Sequence, residues 1–160
     1  MPANARSGAR NGRDSTDQLI LTELQRDGRV TFAELGRRVG LSAPAVAERV
    51  QRLEDDGVIL GYRALVDPRA VGYALSAIIR VRPAPGCLKT VADVARKTAE
   101  VVECHRVTGD DCYVIKAHLR DVGHLEEVID RFAAHGQTTS SIMQSSPVPG
   151  RPLGTTIEGT

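Results

Sequence analysis

The stretch VTFAELGRRVGLSAPAVAERVQRLEDDG, Val30 to Gly57, decides the fold of the N-terminal part of the chain. Thr31 followed three residues on by Glu34 has the spacing of a capping box, and Phe32, Leu35 and Val39 recur on one helical face. Gly40 can take the left-handed conformation that ends a helix. Ser42 then caps a second helix, with Pro44 tolerated in its first turn and Val46, Val50 and Leu53 at helical spacing. Asp56-Gly57 closes it. Two helices joined through Gly40-Leu41-Ser42 have the pattern of a helix-turn-helix. Gly36 supplies the small residue where the helices cross, and Gly40 the residue free to take positive φ.

The second of these helices presents Ser42, Ala43, Pro44 and Ala45 at its N-terminal face, with Glu48, Arg49 and Arg52 further along. Small side chains there let a helix enter a DNA major groove about 12 Å wide. Arg37, Arg38, Arg49 and Arg52 are then the expected phosphate clamps. A plain three-helix bundle used for dimerisation fits the same spacing. The acidic balance of residues 14–57, net −3, favours that alternative.

Upstream, Ser15 and Gln18 have capping-box spacing ahead of Leu19, Ile20, Leu21 and Leu24, so a first helix is expected to end at Asp27-Gly28. Residues 1–13 hold Arg6, Arg10 and Arg13 and no acid, which reads as a flexible basic arm. Downstream the period changes. Residues 58–60 and 63–66 around Gly61 read as a small hairpin or wing, and 67–72 as a linker. Strands are expected at 73–82, 101–107, 112–119 and 138–145, and helices at 87–99 and 122–135. This βαββαβ order fits an antiparallel sheet with two helices on one face. The other face is expected to be apolar, through Leu75, Ile78 or Ile79, and to need a second copy as cover. The predicted class is α+β, a winged helix-turn-helix followed by a ferredoxin-like domain. The divisions are an arm (1–13), a helix-turn-helix domain (14–62), a hinge strand or linker (63–72), a ligand and oligomerisation domain (73–146) and a mobile tail (147–160).

Composition bounds what such a chain can do. With 160 residues and only five aromatics, the core must be filled by Val, Leu, Ile and Ala. No apolar run approaches the roughly 20 residues of a membrane span. Three cysteines, with no CxxC pair, read as reduced thiols in a cytoplasmic protein. Cys87, Cys104, His105, Cys112 and His118 lack the paired spacing of a zinc site. Cys112 beside His118 lacks an orienting group for a nucleophilic thiol, so an enzyme is not expected.

A second polar motif is ThrGlyAspAspCys, residues 108–112, between two strands. Amides around Gly109 can accept an anion, and Asp110 or Asp111 can meet an ammonium group; an ordinary hairpin turn reads the same way. Thr138, Thr139 and Ser140 offer hydroxyls from the last strand, or simply β-propensity on a solvated face.

Taken together, LTELQRDGRVTFAELGRRVGLS (21–42) and AERVQRLEDDGVILGY (47–62) resemble the Lrp/AsnC, or feast/famine, family of transcription regulators. CHRVTGDD (104–111) resembles that family's effector-domain signature. The resemblance spans about residues 14–145. It implies that the Ser42–Arg52 helix recognises DNA, and that Thr108, Gly109 and Asp110 form an effector loop. Thr138, Thr139 and Ser140 would face that loop from a neighbouring subunit. It also implies homodimers, in some members rings of four dimers, with a small effector such as an amino acid bound between subunits. One departure stands out. The family often has Asp two residues after the Asp110 position, where this chain has Cys112, with an additional acid at Asp111. The expected function is a sequence-specific DNA-binding regulator modulated by a small ligand, with no cofactor; the alternative is an amino-acid-binding regulatory protein acting without DNA.

Overall fold

Asp14, not Ser15, caps the first helix. Its Oδ1 accepts from the Asp17 backbone N–H at 2.9 Å, and α1 runs Ser15–Arg26. A carboxylate at the positive end of a helix is favoured over a hydroxyl, which moves the cap one residue upstream of the Ser15–Gln18 spacing. α2 (Phe32–Val39) is capped by Thr31, whose Oγ1 accepts from the Glu34 N–H at 3.2 Å. The Glu34 carboxylate turns instead to Arg37 and Arg38. α3 (Ala43–Asp55) is capped by Ser42, with Gly40 left-handed at φ +74° before it and Gly57 at +68° after it. The expected left-handed Gly28 is not found; α1 ends on an extended Asp27.

The computed structural model describes residues 14–154, so the predicted basic arm lies outside the described residues. The chain divides into two compact units. One runs to Ala64 and resumes at Val148; the other is Leu65–Pro147. In the first, Ile20, Leu35, Val46, Val50 and Leu53 form the core. Phe32 was expected on that face but is 43% exposed. As the first residue of α2 its side chain leans back past the helix end, away from the Leu35–Val39 stripe.

No hairpin forms over 58–66. The Val58 and Ile59 amides both bond back to the Leu53 carbonyl, at 2.8 and 3.0 Å, and their side chains cover the helical core. That leaves nothing for a wing to be made from. Leu60 and Leu65 are 93% and 92% exposed. The 67–72 linker contains one 3₁₀ turn, Arg69–Val71, with Gly72 left-handed after it. Within the described part of the tail, the Leu153 N–H donates to Gln25 Oε1 at 2.7 Å, and its carbonyl accepts from Gln25 Nε2 at 3.2 Å.

The second unit is β1 (Leu75–Pro83), α4 (Leu88–Lys97), β2 (Val101–Arg106), β3 (Tyr113–Leu119), α5 (Val122–Ala133) and β4 (Gly136–Ile142). The sheet is antiparallel in the order β2-β3-β1-β4. Alternation decides its faces. Ala77, Ile79, Val81, Tyr113, Ile115, Ala117 and Leu119 are buried with Val91 and Ala95 of α4 and Leu125, Val128 and Phe132 of α5. Val122 is exposed at the start of α5. The other face corrects the expectation of an apolar surface. Ile79 and Leu75 belong to the helix-covered core. Ile78 and Val114 share the open face with Ser76, Arg80, Arg82, Lys116 and His118, so that face is mixed, with polar side chains in the majority.

One buried network pins α5 to the start of β2. The His124 Nδ1 accepts from the Arg120 N–H at 3.3 Å, so its Nε2 carries the proton and donates to Glu100 Oε1 at 2.7 Å. Arg131 adds a bond to Glu100 Oε2 at 3.0 Å. The His124 bond first, and Arg131 with it, hold the Glu100 carboxyl at about 2, against an ordinary 4.5, although its partial burial opposes this. Because the folded value lies below the unfolded one, this stabilisation is complete above pH 4.5 and is lost as pH falls towards 2. In urea titrations the wild type should therefore exceed Glu100→Gln at neutral pH and converge on it across that window. A constant gap would contradict the assignment.

Candidate nucleic-acid interface and effector loop

The face of α3 has the predicted small residues. Ser42, Pro44, Glu48 and Gln51 are exposed, and Ala43, Ala45 and Ala47 are half-buried between them. The arginines are placed differently from simple phosphate clamps. Arg49 Nη1 lies 2.8 Å from Asp14 Oδ2 and 2.8 Å from Asp17 Oδ1, and Arg52 Nη2 lies 3.0 Å from Asp17 Oδ2. Arg38 bridges Glu23 at 2.8 Å and Glu34 at 2.9 Å, and Arg37 also pairs with Glu34. Asp17 and then Asp14 hold the Arg49 guanidinium above its ordinary value; Glu23 and then Glu34 do the same for Arg38. The Asp17 N–H, followed by Arg49, lowers the Asp14 carboxyl. Among the described residues up to Ala64, Arg29 and Arg63 have no carboxylate partner.

Sequence reasoning missed Asp17, whose side chain is only 2% exposed. Its partners lie 32 and 35 residues away, beyond the reach of any helical spacing rule. The one available signal was the excess of acids in a segment that had to fold compactly.

The β2–β3 connection forms the second site. The Val107 N–H donates to the Cys112 carbonyl at 2.9 Å and closes the loop. Gly109 is left-handed at φ +105°, with open space where a Cβ would stand. Thr108, Gly109 and Asp110 are exposed, while Asp111 and Cys112 are half-buried. Asp110 Oδ2 accepts from Arg82 Nη2 at 3.0 Å, and the Cys112 Sγ sits 3.9 Å and 3.8 Å from the Gly109 and Asp110 carbonyls. Arg82 was not foreseen, although β1 alternation does put it on the open face. Thr138, Thr139 and Ser140 lie on β4, opposite Val81, Arg80 and Ile79. With β1 between β3 and β4, one chain does not bring them to the loop; they stand two strand spacings, about 10 Å, from β3.

Among the described residues no group of three or more His, Cys, Asp or Glu is placed to hold a metal ion. All three cysteines are free. No described helix is long and apolar enough to cross a membrane.

Residues 14–54 match the AsnC-type helix-turn-helix domain, and residues 76–153 the Lrp/AsnC ligand binding domain. The chain belongs to the Lrp/AsnC family of transcriptional regulators. This Lrp/AsnC chain is 44% identical over 133 residues to the HTH-type transcriptional regulator YezC of Bacillus subtilis, covering 83% of this chain and 94% of that one. It is 36% identical to the HTH-type transcriptional regulator LrpA of Mycobacterium tuberculosis, over 84% of this chain and 88% of the other. Among solved structures it resembles the transcriptional regulator NMB0573 of Neisseria meningitidis in complex with L-Met. That match has TM-score 0.84 and 32% identity, covering 89% of this chain and 96% of that one. The feast or famine regulatory protein Rv3291c of M. tuberculosis, complexed with L-methionine, matches with TM-score 0.81 and 35% identity over 86% and 96% of the two chains. Like its relatives, this Lrp/AsnC protein is a DNA-binding transcription regulator with a ligand-binding domain, and not an enzyme.

Proposed function

We propose that this regulator is a cytoplasmic homo-oligomer, built from dimers, whose DNA binding responds to an amino acid bound at the 108–112 loop. The observation that carries the reading is the union, in one chain, of a helix-turn-helix with a small-residue face and a ligand-binding domain. Ser42, Ala43, Pro44, Ala45 and Glu48 meet base edges, and Arg37 and Arg38, at the helix-turn-helix surface, meet phosphates with Arg29 and Arg63. Amides around Gly109 take the effector carboxylate, and Asp110 or Asp111 its ammonium group, with Arg82 holding Asp110 in place. Thr108 and Cys112 border the ligand side chain, and Thr138, Thr139 and Ser140 come from a neighbouring copy. Two relatives bound to L-methionine support the effector class. The exposed Leu60 and Leu65 support self-association, since apolar side chains of that size seek cover.

Footprinting on promoter fragments, at low salt and with each amino acid present, tests the dimeric arrangement on DNA: protected half-sites should recur at about 10 bp or its multiples. Protection without that spacing would overturn it. For the effector, calorimetry with the amino acid that stabilises the wild type should show tenfold or greater loss in Asp110→Ala. Unchanged affinity places the site elsewhere.

A further inference from the structure

We infer that Asp17 is a positioning residue that sets how well this protein discriminates between DNA sequences. It does so by withholding two recognition-helix arginines from the phosphate backbone. The inference rests on the DNA-binding reading above.

Asp17 stands on α1, its carboxylate closed off from solvent, yet both of its oxygens meet guanidinium groups of α3: Arg49 at 2.8 Å and Arg52 at 3.0 Å. Arg49 is held a second time by Asp14, the residue that caps α1, so the start of α1 and the middle of α3 are joined through four charged side chains. Were both arginines to reach phosphates, Asp17 would remain buried without a cation, and were Arg52 alone to do so, Asp17 Oδ2 would lose its partner; both arrangements are unfavourable. Although the Arg52 side chain is 56% exposed, its charge is already answered. Neither arginine therefore counts among the phosphate contacts that release counterions and bind every sequence alike. What α3 offers to DNA is then mostly its fixed small-residue face with Glu48 and Gln51, which favours reading over mere adhesion.

A carboxylate that only held the fold together would, when neutralised, weaken binding to all DNA and leave its salt dependence unchanged. The test uses the full chain. A duplex is recovered by selection with the wild type from a random-sequence library, and a scrambled duplex of the same composition serves as reference. Both are titrated across a salt series with wild type and Asp17→Asn. The variant should show a log–log salt slope steeper by about 0.9 for each arginine released, tighter binding of the scrambled duplex at low salt, and a several-fold loss of preference for the selected one. Wild-type slope and preference in a cooperatively folding Asp17→Asn overturn the inference. Should Asp17→Asn not fold, Arg52→Gln decides: an unchanged slope upholds the inference, and a slope shallower by about 0.9 overturns it. A selection that recovers no duplex at all removes the DNA-binding reading, and the inference with it.

Discussion

Gly36→Ala is expected to destroy DNA binding while leaving the ligand-binding unit folded. Gly36 is buried in α2, where a Cβ would stand 2.4 Å from the Leu41 carbonyl oxygen and 3.4 Å from the Leu41 carbonyl carbon. Both are backbone atoms, so no side chain can rotate away. The turn itself must move, breaking the 2.9 Å bond from the Leu41 N–H to the Gly36 carbonyl and shifting Ser42, the cap of α3. Overpacking costs about 1–3 kcal/mol even where side chains can give, and here the neighbours cannot. A unit this small has little stability to lose. Gly40→Ala is the control. It has open space around it and suffers only from its φ of +74°, a penalty of roughly 1–2 kcal/mol. Thermal unfolding and gel-shift titration of both variants check the ranking. A Gly36→Ala protein that melts and binds like the wild type would show that the helices do not cross as closely as described.

The residues that could be read from sequence are those whose partners are near in the chain or repeat with a simple period. Thr31, Gly40 and Ser42 act within one turn of themselves, and each stands where the helix rules put it. The β3 alternation from Tyr113 to Leu119 was legible for the same reason, because burial flips with each residue. Ser15 misled because two capping residues stood side by side and the charged one prevailed. The wing misled because Val58 and Ile59 have strand-like side chains, but the Leu53 carbonyl and the helical core lay closer than any strand partner. The carboxylate partners of the arginines were the least legible feature. Spacing alone placed Arg37, Arg38, Arg49 and Arg52 along the helix-turn-helix surface, and the acids that engage them come from α1 and α2 by tertiary packing. The open sheet face was misjudged at Ile79, where Ile78-Ile79 offers no alternation to choose between. For the 108–112 loop, the turn and its Gly109 were legible, whereas Arg82 as the partner of Asp110 required the β1–β3 register.

Phe132→Ala should produce the largest loss of stability in the ligand-binding unit. Among the described residues Phe132 is the largest fully buried side chain, and it belongs to the core between α5 and the sheet, alongside Val128, Val91 and Ile115. The other phenylalanine, Phe32, belongs to the helical unit, and the one other ring in this core, Tyr113, is tied by its hydroxyl to the Leu88 carbonyl at 3.0 Å. Truncation removes the transfer energy of the ring and leaves a cavity that β-branched neighbours collapse into poorly, a cost of about 3–5 kcal/mol. Against a domain stability of about 5–15 kcal/mol, this brings the unit close to unfolding near ambient temperature. The helix-turn-helix has its own core, Ile20, Leu35, Val46, Val50 and Leu53, and shares none of these contacts. Calorimetric unfolding should therefore show a transition displaced strongly downward for Phe132→Ala, with loss of effector binding, while the helical unit keeps its own. A single transition at the wild-type temperature would mean that Phe132 does not anchor α5. A single transition shifted as a whole would mean that the two cores unfold together, so that the effector-binding unit supports the DNA-binding one in every state.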